Sequence, residues 1–230
     1  MAFVFGAKDL MSALGLSAAD WEIQSSSENA QQDYAVTKDK VGAYVGGSES
    51  AHNKRTDLTL ELKCKNPAGS TAGFTLGGAG IGTAPATVVV TAFSAKQTYN
   101  DNATLSLTAH KHDDGVAGAV HQATPASEAI ILSLGFGIGA VRLGGTVLDC
   151  QSAELSGSVE HKDRYSNTGA FLVGASTGLK YEATEEYVDN GSAVTVDSPW
   201  IEDSQDVKTS NEDFYTRSVK AHAYTLSGGD

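Results

Sequence analysis

His110-Lys111-His112 sets two imidazoles two residues apart, and His121 follows nine positions later, with Asp113 and Asp114 between. In an extended chain, positions 110 and 112 share one face. Two neutral imidazoles on one face can meet a single transition-metal ion. The competing reading is structural: the segment runs into a Gly/Ala-rich loop, and histidine is common at strand ends. Metal binding at His110, His112 and His121 is therefore an open question at this level.

Other motifs carry less. Ile130-Ile-Leu-Ser-Leu-Gly135-Phe-Gly137-Ile-Gly-Ala140 has the outline of a dinucleotide fingerprint after an apolar strand. That fingerprint needs a following helix whose N-terminus faces the pyrophosphate. Here Gly144 and Gly145 end any helix within a turn. Gly77-Gly-Ala-Gly-Ile-Gly82 lacks the Lys-Ser/Thr of a phosphate-binding loop. No G-x-S-x-G elbow is present. Glu182, Glu185 and Glu186 read as a solvated strand face. The expectation is a non-enzymatic protein with no catalytic residue, cofactor or metal assigned.

The elements that hold these residues are mostly strands. Ala7–Leu14 places Leu10, Met11 and Leu14 at helical spacing, and Gly15 can end the helix. After that the period is two. Asp57–Lys65, Ala103–His110 and Arg217–Leu226 alternate polar and apolar residues, separated by Gly, Asn and Asp clusters. The pattern predicts an all-β protein of antiparallel sandwich type with a short N-terminal helix.

Composition bounds the function. The chain has 230 residues, net charge −12, 25 Gly and only 4 Pro. A pI near 4.8 argues against ordinary nucleic-acid binding, which needs a basic footprint. Residues 151–230 carry 14 acidic and 6 basic side chains, against 14 and 10 in residues 1–150. No apolar run approaches the roughly 20 residues of a membrane helix. The start, Met1 to Leu10, lacks the basic region of a secretory signal. Cys64 and Cys150 fit small buried hydrophobes better than a bridge, although pairing is not decided by sequence. Asn102 and Asn190 match the glycosylation pattern, which means little without a secretory signal.

An internal repeat organises the chain. Gln24-Ser25 and Gln151-Ser152 open two polar stretches that end in Gly42-Ala-Tyr-Val and Gly169-Ala-Phe-Leu, at a constant offset of 127. Asp57–Lys65 and Leu179–Val188 follow as strands. Thr98–Asn102 then matches Thr209–Asp213, and Ala109-His110 matches Ala221-His222, at an offset of 111 or 112. The second copy therefore lacks about 15 residues, which the Gly-rich stretch Asn66–Ala86 supplies in the first; its counterpart is Asp189–Pro199. The expected organisation is a helical segment 1–20, copy one 21–112 with an arm 66–86, a junction 113–145, and copy two 146–230. A period this long indicates domain duplication and not a solenoid.

The order Gln24–Val45, Asp57–Lys65, Ala86–His110, repeated as Gln151–Val173, Leu179–Val188, Trp200–Leu226, resembles the tube domain of tailed bacteriophages. That domain is shared with contractile injection systems and the type VI secretion tube. Thr209-Ser-Asn-Glu-Asp-Phe214 is the most suggestive element. The resemblance implies a virion protein, assembled in the host cytoplasm, whose strands join those of neighbouring copies in trimeric or hexameric rings. The rings stack, contact other tail proteins, and let DNA pass without sequence-specific binding or membrane insertion. The arm would order on assembly, and the acidic surplus would line the lumen. Other readings are a capsid decoration or neck protein, or a carbohydrate-binding β module, although Trp21 and Trp200 are isolated and aromatics make up only 7%.

Overall fold

A computed structural model describes residues 10–11, 14, 16–35, 40–42, 50–66, 70–77, 88–112, 115–122, 129–134, 143, 149–209 and 215–225. The strands are β1 (Trp21–Ala35), β2 (Ser50–Cys64), β3 (Ser70–Thr75), β4 (Val88–Thr98), β5 (Asp101–His112) and β6 (Gly115–Gln122). They continue with β7 (Ala129–Leu134), β8 (Cys150–Tyr165), β9 (Phe171–Val188), β10 (Ile201–Lys208) and β11 (Thr216–Ala223). The protein is all-β and largely antiparallel. Eight strands form one sheet in the order β1-β2-β5-β4-β8-β9-β11-β10, and β6 pairs with β9 in parallel. β3 and β7 make a separate antiparallel pair. No helix among the described residues is long and apolar enough to cross a membrane.

The alternation read from sequence becomes two unlike faces. One row runs across Ile23, Leu62, Leu105, Ala95, Leu155, Ala183 and Ala221. The neighbouring row faces the other way: Ser25, Glu61, Ser106, Ser94, Ser156 and Glu182. The first face is dry because Leu10, Met11, Leu14, Leu16, Phe74, Leu76, Leu143 and Val194 cover it. The second stays wet and is laced by short hydrogen bonds, such as Ser25 Oγ to Glu61 (2.7 Å) and Ser27 Oγ with Thr59 Oγ1 (2.7 Å).

Several expectations change in detail. Leu10 and Met11 are helical, and the Leu14 N–H donates to the Leu10 carbonyl (3.0 Å); the rest of the Ala7–Leu14 helix lies outside the described residues. Part of the Asn66–Ala86 stretch, expected as an arm ordered on assembly, is strand β3, and Phe74 meets Phe93 edge-on at 5.2 Å. Two buried apolar side chains, Phe74 and Leu76, outweigh the local glycine count. The junction 113–145 contains β6 and β7. Ile130–Leu134 is antiparallel to β3, not the parallel strand of a nucleotide fold, and 135–140 lie outside the described residues.

Glu182, Glu185 and Glu186 do not share one solvated face. Glu182 is exposed and Glu186 half-buried, but Glu185 is fully buried. Strand alternation sets it in line with Tyr181, Ala183 and Tyr187 on the dry side. Its carboxylate accepts hydrogen bonds from the Leu143 N–H (2.8 Å) and the Tyr187 hydroxyl. Trp21, read as isolated, is a core residue 1% exposed. Cys64 and Cys150 are both free thiols.

The seam between chain halves is β4 with β8, paired from Ala92↔Ser158 to Thr98↔Ser152. Phe93, Gly157 and Tyr181 stand side by side on β4, β8 and β9. A Cβ on Gly157 would lie 2.6 Å from Phe93 Cε1 and 2.8 Å from Tyr181 Cδ1. The missing side chain lets the two rings, 6.4 Å apart, close over the strand.

The strand order before the seam, β1-β2-β5-β4, recurs after it as β8-β9-β11-β10. Irregularities recur too. β1 bulges between Ile23 and Ser25 and between Gln31 and Asp33; β8 does so between Cys150 and Ser152 and between Ser158 and Glu160, each 127 positions on. β4 bulges between Val90 and Ala92, and β10 between Glu202 and Ser204, 112 positions on. Gly42 (φ 84°) and Gly169 (φ 82°), also 127 apart, both adopt the left-handed conformation that favours glycine.

Two stability outcomes follow. Gly157→Val forces Phe93 or Tyr181 out of place and costs about 1–3 kcal/mol by overpacking. Glu185→Ala strips the acceptor from two buried donors, at about 1–3 kcal/mol for each donor left unsatisfied, whereas Glu185→Gln keeps an acceptor and costs less. Urea denaturation of the three variants beside the parent chain checks both.

Candidate metal centre and open sheet edges

Two i, i+2 pairs converge. His110 and His112 end β5, while His161 and Asp163 lie near the end of β8. β4 separates these strands along the seam, but it stops pairing with β8 beyond Ala92. The bulges at Thr91 and Val159 fall at that point, and a bulge turns a strand away from its neighbour. The far end of the β8–β9 hairpin thereby reaches the end of β5.

The Asp163 carboxylate is the centre. Its Oδ2 is 3.4 Å from His110 Nε2, and its Oδ1 is 3.2 Å from His112 Nε2 and 3.1 Å from His161 Nε2. Burial pushes the Asp163 carboxyl up, but hydrogen bonds with His110, His112 and His161 outweigh it and hold the group well below the usual carboxylate range. The rings are held in place. His112 stacks flat on Phe171 at 3.7 Å, with Tyr165 edge-on at 5.8 Å. His110 sits edge-on to His112 (5.4 Å) and His161 (4.6 Å). His161 Nδ1 is bonded to Ser176 Oγ at 2.7 Å, which leaves Nε2 for the carboxylate.

His110, His112 and Asp163 can each offer one ligand atom, all within 4.8 Å of one another. His110 and His112 share one face of β5, as their two-residue spacing implied. His121 lies in β6, its backbone opposite Gly174, which in turn pairs with Asp163; its side chain lies outside the described residues. Sequence reasoning missed His161 and Asp163. Their signal was the segment His161-Lys162-Asp163, which repeats the spacing of His110-Lys111-His112. His222, the repeat partner of His110, pairs instead with Asp203 (2.7 Å) and lies edge-on to Tyr224 (5.4 Å).

Among the described residues the sheet ends at β1 and β10, neither of which pairs with a further strand on its outer side. Such edges invite pairing with another chain. β10 exposes Ile201 (52%) and Val207 (46%) beside Glu202, Asp203 and Asp206. β1 carries Glu22 and Glu28, and Glu28 pairs with the buried Leu58 on the dry side. An inward-pointing charge on an edge strand discourages casual association.

The imidazole–carboxylate cluster and the two edge strands are separate features of one sheet. Comparison with protein-family models and with curated proteins finds no match to this chain.

Proposed function

We propose that this chain is a virion structural protein of the tail-tube or tail-hub kind, built from two related β units in tandem, that self-assembles edge to edge into stacked rings conducting DNA. One observation carries the reading. Within the chain, β4 of the first strand set pairs with β8 of the second. The free edges, β10 and β1, are the counterparts of those two strands by strand order and by bulge position.

The internal seam therefore serves as a template for the contact between copies. Transferring its register sets Ser204 opposite Gln31 of the next copy, Asp206 opposite Asn29, and Val207 opposite Glu28. Repeating one contact head to tail generates a ring if the rotation closes. Three copies bring six units to such a ring. Closure removes both edges at once.

The wet face suits a conduit. It presents Ser25, Ser94, Ser106 and Ser156 with charges of both signs, including Glu61, Glu154, Glu182, Lys96 and Lys220. Small hydroxyls give it low relief, and the net charge of −12 keeps the protein as a whole from attracting phosphate.

The edges also explain how free copies stay apart. Both β1 and β10 carry an acidic surplus, so approach is repulsive and is screened by salt. Raising ionic strength shifts the protein toward rings or tubes, seen by light scattering with negative-stain imaging. Glu28→Leu, which restores the apolar residue found at the matching position Leu155, lowers the concentration at which rings form by about tenfold, the equivalent of about 1.4 kcal/mol. Monomers at every salt and concentration, for both the parent chain and Glu28→Leu, would contradict the reading.

A further inference from the structure

We propose that His110, His112 and Asp163 bind one divalent transition-metal ion, tested here as zinc, which ties β5 to β8 across the seam. The donor set of two imidazoles and one carboxylate suits zinc and its first-row neighbours and not magnesium or calcium, which prefer all-oxygen sites. Zinc bonds of about 2.0–2.2 Å place the ligands of a tetrahedral site about 3.3 Å apart. His112 Nε2 lies 3.2 Å from Asp163 Oδ1 and His110 Nε2 lies 3.4 Å from Oδ2, and one ligand atom from each of the three residues falls within 4.8 Å of the others, so a small turn of the carboxylate and rings brings the donors to that spacing.

His161 is a positioning residue. Ser176 fixes its Nδ1 and its Nε2 meets Asp163, so Asp163 can turn one oxygen to the metal and keep the other on His161. A carboxylate oriented in this way is the usual support of a bound ion. The stack of His112 on Phe171 holds that ring before any ion arrives. Arg55, Asp57, Thr91 and Val159 line a cleft that reaches His110, His161 and Asp163, providing an entry path and room for a water ligand.

The ion would join strands from opposite sides of the β4–β8 seam, while the repeat positions hold His222 and Tyr224, so the stoichiometry is one per chain. This inference is independent of ring assembly, because it concerns a single chain.

Equilibrium dialysis of the full chain against micromolar zinc chloride, followed by metal analysis, tests it. One zinc per chain is expected. Cobalt(II) in its place gives the visible absorption of an imidazole-ligated ion, and zinc but not magnesium raises the melting temperature by several degrees. His110→Gln, at a partly exposed position, loses stoichiometric zinc with an unchanged circular dichroism spectrum; His161→Gln weakens zinc about 10- to 100-fold, as loss of an orienting partner does. A parent chain that retains no stoichiometric zinc and gives no cobalt band overturns the proposal. So does one zinc retained undiminished by His110→Gln combined with His112→Gln.

Discussion

Pairing of β4 with β8 makes one sheet out of two sets of four strands, and it works because β8 has no side chain at Gly157. Phe93 and Tyr181 close over that gap, and the rows of buried residues on either side become continuous. The same seam ends abruptly at the bulges of Thr91 and Val159. Past them β8 leaves its neighbour and carries His161 and Asp163 to the end of β5. The histidine cluster is thus a consequence of where the seam stops. Among the described residues that kind of contact is made once per chain, which leaves β1 and β10 at the ends of the sheet.

Much of this was legible in the sequence, for physical reasons. A period of two sorts side chains between faces, so Leu58, Leu60 and Leu62 could be read as buried and Thr59 and Glu61 as exposed without knowing the partner strands. The offset of 127 read from sequence has local counterparts in the structure: glycine in a left-handed conformation at Gly42 and Gly169, and glutamine at a bulge at Gln24 and Gln151. What stayed hidden depended on pairing between distant strands. Nothing local says that His161 will meet His110. Nothing local says that Glu185, in a run of carboxylates, will face the Leu143 amide and the Tyr187 hydroxyl. The Asn66–Ala86 stretch looked like a loose arm because its glycines outnumber the two apolar residues, Phe74 and Leu76, that anchor it.

The two proposed roles place different demands on the same sheet. The proposed assembly asks for edges that are complementary but not sticky, and the acidic residues of β1 and β10 would oppose casual pairing at low salt. A bound ion needs rigid ligands, which the aromatic packing around His112 provides. The wet face carries His110 and His112 at one end of β5, in the same row as Ser106 and Thr108, and elsewhere it remains a polar surface. Each demand falls on residues that the dry core does not use, so one fold can meet both without cost to its packing.

The central claim is that the β4–β8 seam sets the register of the contact between copies. Disulfide trapping measures it most directly. Asn29→Cys and Asp206→Cys occupy the positions that match Ser156 and Ser94 of the internal seam, and both sites are exposed in the single chain. Mild oxidation of the double variant under assembling conditions should yield a ladder of covalent oligomers, faster than Gln31→Cys paired with Asp206→Cys. Absence of a ladder, or faster trapping at the displaced register, would contradict the account.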